Sequence, residues 1–416
     1  MNVALISNEY LPFNNAGGIA TFMTELAKLL TKLGHQVIVF TDGGESLNRS
    51  ITSNGITIIP FLNKRSNALI RTLVAFFPNK LMITILQRYA PDLAKLLRCN
   101  LLALLTFVSY RKHATMRVIH TPVQFAPVYL ISLIFPSITI VTHAQGPDEL
   151  LQPYDRVTKD SMLKAQIETL YMKHSKFIIP CSQTVNDYLK EKYQSIRKKL
   201  IYIQNFIDTK SFPTTKKSLN TNTLLFVGRM EYRKGPDLVV KAFVKLFRKY
   251  PNLKLILLGE DTTSWFVNGK PVSFLNYVRS LRLSTRIQRQ ITFTPRIDDR
   301  SHLLKYLSAH RGIAVLPSRY EPFGFVFIEA MMAGCITMAS AYGGGAEIIE
   351  NGVDGFTVEP KVKDIVSCIQ KIKSLHPRSC EALTYRARQK ITATYDISRV
   401  TNAYEALYDR IEKDLH

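Results

Sequence analysis

The sequence predicts an α/β protein built as two doubly wound domains facing a cleft. Three observations carry that expectation. Strand and helix patterns alternate through both halves, and a polar stretch rich in Thr, Lys and Asn at 213–223 divides them. At 416 residues the chain also exceeds what one hydrophobic core serves well. Domains over 1–212 and 213–397 follow, with an amphipathic segment at about 398–416 as a candidate helix returning to the first domain. In such sheets ligands bind beyond the carboxyl ends of the strands.

The first domain opens with a short apolar strand at 2–7, then a loop holding Gly17-Gly18 and an amphipathic helix over 19–33. Gly34-His35 closes that helix before the strand at 36–41, which completes a βαβ unit of ordinary length. Further strands are expected at 117–120, 138–142, 177–180 and 200–203, with the clearest helices at 161–174 and 184–193.

The second domain repeats the alternation. Strands are expected at 224–227, 253–258, 291–294, 312–317 and 335–339. Helices at 236–250, 272–281, 300–310 and 326–333 fall between them.

Composition narrows the function class. The five cysteines (Cys99, Cys181, Cys335, Cys368 and Cys380) are scattered with no Cys-x-x-Cys pair, which argues against a disulfide framework or a zinc site and points to a cytoplasmic setting. The opening MNVALIS lacks the basic leader of a signal peptide. Residues 118–147 carry no Asp, Glu, Lys or Arg, yet Pro122, Pro127 and Pro136 interrupt them; a buried strand, helix and strand fits better than a membrane span.

The formal charge is +23, unevenly spread. Between Phe61 and His120 ten Lys and Arg face one acid, Asp92, with apolar clusters between them. Cations interleaved with large apolar residues suit an anionic membrane surface, so the stretch 63–112 is expected to dock there; the alternative is a solvated basic face on core-packed helices. No recognition motif for nucleic acid accompanies the charge.

Three motifs carry chemistry. After the strand at 224–227 come Gly228-Arg229 and Lys234-Gly235, two cations suited to gripping a diphosphate leaving group. After the strand at 312–317 a loop carries Glu321, Gly324-Phe325 opens a helix, and Glu329 lies eight residues beyond Glu321. A helix start offers N–H groups to phosphate or sugar, and carboxylates bind vicinal hydroxyls. Gly343, Gly344 and Gly345 add a turn on which backbone approaches a ligand closely. Each pattern alone also fits ordinary surface charge and turns.

Jointly the motifs resemble the large family-four group of retaining GT-B glycosyltransferases, enzymes with two Rossmann-like domains. The resemblance rests on GRxxxxKG at 228–235, Glu-x7-Glu at 321–329, and the set Gly343, Gly344, Glu347, Ile349, Gly352 and Gly355. In the first half, Gly17-Gly18, Thr142-His143, Pro180-Cys181-Ser182 and Ile203 to Asp208 agree as well. Gln204 and Phe206 depart from the family's Pro and Gly, and Ala144 stands where Gly or His is commoner.

This resemblance implies roles residue by residue. Arg229 and Lys234 would bind the donor diphosphate, and Glu329 the ribose hydroxyls. Glu321 and the amides at Gly324 and Phe325 would hold the donor sugar, with Gly18 near the phosphates. His143 would hydrogen-bond the sugar beside the reacting carbon, making His143 and Glu321 the catalytic candidates. The implied enzyme is a retaining hexosyltransferase moving a sugar from a nucleotide-sugar donor to a glycan or lipid-linked acceptor, in cell-surface polysaccharide or glycolipid synthesis, peripheral on the inner face of the membrane. No Asp-x-Asp occurs in the chain, so neither a metal nor another cofactor is expected. The rivals are a nucleotide-sugar epimerase or a phosphorylase on the same fold, and a catalytically silent membrane-associated scaffold. A nicotinamide oxidoreductase is disfavoured because neither half opens with G-x-G-x-x-G.

Overall fold

The computed structural model describes residues 1–13, 17–43, 47, 49–62, 101–110, 115–124, 128–154, 159–213 and 217–415. They form two units, Met1–Ile207 with Ile397–His416, and Asp208–Asp396.

The first unit is a seven-stranded sheet. Its strands are β1 (Asn2–Ser7), β2 (Gln36–Asp42), β3 (Ile51–Ser53), β4 (Ile56–Leu62), β5 (Val118–Pro122), β6 (Thr139–Ala144) and β7 (Phe177–Pro180). The order is β3-β4-β2-β1-β5-β6-β7, and every pairing is parallel except β3 with β4. Near-continuous apolar strands such as β1 are buried on both faces, as a sheet covered by helices requires. The helix Gly18–Lys32 lays Phe22, Met23, Leu26, Leu29 and Leu30 on one face of it.

The second unit holds β8 (Thr223–Val227), β9 (Lys254–Leu258), β12 (Ile291–Thr294), β13 (Ile313–Leu316), β14 (Ile336–Ser340) and β15 (Phe356–Val358) in one parallel sheet, ordered β12-β9-β8-β13-β14-β15. A separate hairpin pairs β10 (Trp265–Val267) with β11 (Lys270–Val272). With the antiparallel edge strand β3 set aside, both sheets follow one doubly wound order, in which the first strand lies beside the second on one side and the fourth on the other. That order creates a switch point between β1 and β5, and another between β8 and β13.

Several expectations are corrected. Residues 200–203 form no strand; Leu200 makes only an isolated bridge to Ile178. Both hairpins were missed, although each turns on an Asn-Gly pair. Asn54 and Gly55 have φ of 51° and 77°, and Asn268 and Gly269 have 50° and 76°. Positive φ at both central residues defines the turn that matches strand twist, and Asn-Gly tolerates it best.

The passage between units falls at Asp208 rather than after Phe212. Thr209 explains the shift, because its backbone N–H donates to Asp396 at 3.2 Å within the second unit. The helix Thr401–Leu415 belongs to the first unit, where Tyr404, Leu407, Tyr408 and Ile411 are buried.

The uncharged stretch 118–147 contains β5, the helix Val128–Ile134 and β6. Among the described residues no helix is long and apolar enough to cross a membrane. Of the basic stretch 63–112, residues 63–100 and 111–112 lie outside the described residues, as does Cys99. Over 101–110 a helix buries Leu102, Ala103 and Phe107 in the first unit's core, with the Phe107 ring 5.6 Å from Phe40, and leaves Leu101 and Leu105 exposed. That part of the apolar pattern serves packing.

Candidate functional site

At the second unit's switch point, two loops leave neighbouring parallel strands at their carboxyl ends. One follows β8 and carries Arg229 to Lys234; the other follows β13 and carries Ser318 to Glu321. Arg319 ties them together. Its guanidinium reaches both carboxylate oxygens of Asp237 at 3.1 Å and lies 3.6 Å from the Tyr232 ring centroid, while its backbone N–H donates to the Arg233 carbonyl at 2.7 Å. A two-pronged bond of this kind fixes orientation as well as distance. The short turn Tyr232–Lys234 is thereby held against the β13 loop.

On that frame five charged side chains meet. Lys234 Nζ donates to Glu321 Oε2. Arg233 is buried; it bonds Glu231 at 2.8 Å and the Tyr320 carbonyl at 3.1 Å, and lies 3.6 Å from Glu321. Arg229 is half exposed and sits 3.5 Å from Glu231. Burial opposes charge on Glu321, but Lys234 and Arg233 outweigh it and hold the carboxyl below its ordinary range. Burial likewise draws Lys234 below the usual lysine range, against the pull of Glu321. Three cations against two carboxylates leave the cluster a net positive place for an anion.

Gly324 precedes the helix Phe325–Met332, and no side chain among the described residues caps its first turn. The Phe325 ring is buried edge-on against Phe323, 5.1 Å between centroids, so Phe325 offers a ligand its amide and not its ring. Glu329, buried on the same helix, faces Arg300 across 3.5 Å. The triple-glycine turn also has a packing reason. A Cβ on Gly344 would lie 1.9 Å from the Phe323 carbonyl oxygen, so close approach of the chain to itself demands glycine there.

In the first unit, Gly18 begins the helix that follows β1 and is exposed. His143 lies within β6 rather than after it, and is fully buried. Register explains its neighbour. His120 on β5 pairs with Val141, two residues before His143, so both histidines project from one face of the sheet. His120 Nδ1 is 2.9 Å from His143 Nε2, and His120 Nε2 is 2.9 Å from the Tyr408 hydroxyl. Phe22 packs against His143, ring centroids 4.7 Å apart, and Phe206 fills the space between Phe22 and Tyr404. The departure at Phe206 is thus a core contact. Burial lowers His143 well below the usual histidine range, with His120 adding to the effect, and burial and then His35 take His120 down to about 3.

The structure therefore brings Arg229, Lys234 and Glu321 into one cluster, sets Gly324 and Phe325 beside it in sequence, and places Glu329 against Arg300. Glu231 and Arg233 were missed although they lie inside the same motif; their alternating charge was the available signal. For Arg300, His120 and Tyr408 the sequence holds no local signal.

The two halves match two family models. Residues 16–211 match "Glycosyltransferase Family 4" and residues 208–390 match "Glycosyl transferases group 1". A glycogen synthase of Mycobacterium tuberculosis is 30% identical over 248 residues, covering 58% of this chain and 56% of that protein. A probable sucrose-phosphate synthase of Thermosipho melanesiensis is 24% identical over 241 residues, covering 55% and 54%. The chain thus spans a little over half the length of these curated relatives. Among solved structures, a sucrose-phosphate synthase from Thermosynechococcus elongatus superposes with a TM-score of 0.77 at 19% identity, covering 99% of both chains. Anabaena HepE in complex with UDP-glucose gives 0.64 at 16%, covering 98% and 99%. Both share the two-domain GT-B fold.

Proposed function

This chain belongs to the group 1 and family 4 glycosyltransferases, and on that premise we propose that it is a retaining hexosyltransferase, moving a sugar from a nucleotide-diphosphate donor to a glycan or lipid-linked acceptor. The observation that carries the reading is the Arg229–Glu231–Arg233–Glu321–Lys234 cluster at the β8–β13 switch point.

Breaking the sugar–phosphate bond puts negative charge on the departing diphosphate. Arg229 and Lys234 are positioned to stabilise it, joined by the first-turn N–H groups of the helix Phe325–Met332. Each charge-assisted hydrogen bond contributes about 1.5–3 kcal/mol, most where charge develops. Glu321, ionised and displaced from Lys234 by the incoming phosphate, turns to the sugar hydroxyls. Glu329, with Arg300 beside it, takes the ribose hydroxyls. Two cations in place of an Asp-x-Asp motif make the reaction independent of added metal. His143 and the exposed amide end at Gly18 are the first unit's contributions. The basic stretch 63–112 is proposed to dock the enzyme on an anionic leaflet, where a lipid-linked acceptor lies.

The test is a thermal-shift screen against UDP, GDP, ADP and their sugars, followed by transfer and hydrolysis assays with the stabilising donor, with and without EDTA. A ligand at one hundred times its Kd stabilises the folded state by about 2.7 kcal/mol. One nucleotide series is expected to raise the unfolding temperature and to be turned over in EDTA. Loss of activity in chelator, restored by magnesium or manganese, would remove the metal-independent mechanism. No shift with any nucleotide would remove the donor site.

A further inference from the structure

His143 Nδ1 is buried and has no hydrogen-bond partner among the described residues. Its other nitrogen ends a chain that runs through His120 to Tyr408, both links at 2.9 Å. Three neutral groups in a row share their protons in only two ways. In one, the Tyr408 O–H donates to His120 Nε2, His120 Nδ1–H donates to His143 Nε2, and His143 carries its proton on Nδ1. In the other, His143 Nε2–H donates to His120 Nδ1 and His120 Nε2–H donates to the Tyr408 oxygen. The phenol hydrogen then has no acceptor among the described residues, and the buried Nδ1 is left as a bare lone pair. Both arrangements place two of the three protons in the two links; the first leaves a single N–H unfilled, whereas the second leaves a buried O–H and a buried lone pair unfilled.

The frame around the chain is stiff. His35 stacks on Tyr408 with centroids 4.0 Å apart and planes at 27°, and Phe22 covers the far side of His143. Burial keeps both linking histidines uncharged, so neither brings an extra proton that would erase the direction of the chain.

We infer that Tyr408 and His120 are positioning residues that fix His143 as its Nδ1–H tautomer, so that His143 donates a hydrogen bond to an oxygen of the transferred sugar and does not act as a base. The sugar as ligand rests on the glycosyltransferase reading above; the tautomer does not. Free imidazole side chains favour the proton on Nε2, so the assignment is a departure that the C-terminal helix imposes from far along the chain.

Nitrogen NMR of ¹⁵N-histidine-labelled, ligand-free protein at neutral pH tests it, with His143→Gln identifying the resonance. The expected result is a protonated Nδ1 and a bare Nε2 on His143. Tyr408→Phe deletes one hydroxyl and keeps the ring that His35 stacks on. It is expected to shift His143 toward the Nε2–H form and to lower kcat/KM about tenfold, the effect of one misdirected hydrogen bond. Binding of the free nucleotide diphosphate is expected to stay unchanged. A protonated Nε2 in the wild-type protein overturns the inference without a variant. So does an unchanged tautomer in Tyr408→Phe, or an altered tautomer with unaltered kcat/KM. Because the tautomer is read without substrate, failure of the donor screen and failure of this assignment are separate results.

Discussion

Two sheets of one strand order carry opposite kinds of polar chemistry. In the second unit Arg229, Glu231, Arg233, Lys234 and Glu321 gather beyond β8 and β13, joined by ion pairs, with Arg229 half exposed and Arg233 and Glu321 buried. In the first, His120, His143 and Tyr408 sit inside the sheet face, buried and uncharged. A charged cluster near water is tolerant of geometry and answers to a ligand's charge. A buried neutral chain has little long-range field, but its hydrogen bonds point one way. On the proposed function, the diphosphate falls to one unit and a directed contact to the other.

The largest effect that sharpens this contrast is on donor binding. Lys234→Ala and Glu329→Ala are each expected to weaken nucleotide-diphosphate affinity by about 10- to 150-fold, the worth of one charge-assisted hydrogen bond, with circular dichroism unchanged. His143→Ala is expected to leave that affinity alone. Calorimetric titration checks all three. Equal losses from both units would break the division of labour.

A second test uses pH. The folded-state pKa values of His120 and His143 lie below the unfolded value of about 6.5, so the unfolded chain takes up protons first as pH falls. Their contribution is present in full above about 6.5 and declines below it, by up to about 1.4 kcal/mol per pH unit for each histidine. Glu321, also depressed, contributes above the unfolded carboxylate value of about 4.3 and loses its share only at lower pH. Between pH 6.5 and 5 hydrogen-exchange protection, corrected for the intrinsic rate at each pH, should therefore fall in β5 and β6 and hold steady in β8 and β13. Glu168, raised by burial, works in the opposite sense within the first unit, so the slope is read as wild type minus His143→Gln. Parallel slopes in wild type and variant would show that the histidines are not held neutral.

The last test concerns neither site. Changing Lys64, Arg65, Arg71 and Lys80 together to Gln should weaken co-sedimentation with anionic vesicles, at about 1 kcal/mol per cation near the surface, and leave donor binding untouched. Equal recovery on neutral and anionic vesicles would make the stretch a solvated face.

How far the sequence was legible differs between the two sites for the same reason. The second unit's cluster is local. GRMEYRKG puts four of its five charged residues in one turn, and Glu321 follows the very next strand in the sheet. The overlooked Glu231 and Arg233 were therefore within reach. So were the hairpins at Asn54-Gly55 and Asn268-Gly269, where three-residue strands are too short for periodicity but the turn dipeptide is a strong signal. The apparent strand at 200–203 failed because its apolar run meets the edge strand β7 only at Ile178, through one bridge, and does not extend into a ladder.

The amino-acid order by itself determined the strand and helix succession, the division near residue 210 and the cations that follow β8, because each depends on residues close in sequence and on the periods of 2 and 3.6. Tertiary structure alone decided that His120 stands diagonal to His143, that Tyr408 arrives 288 residues after His120 to complete their chain, and that Arg300 meets Glu329. Those contacts depend on sheet register and on where a distant helix docks. Both are fixed by the burial of many apolar side chains at once, which no short stretch of sequence contains.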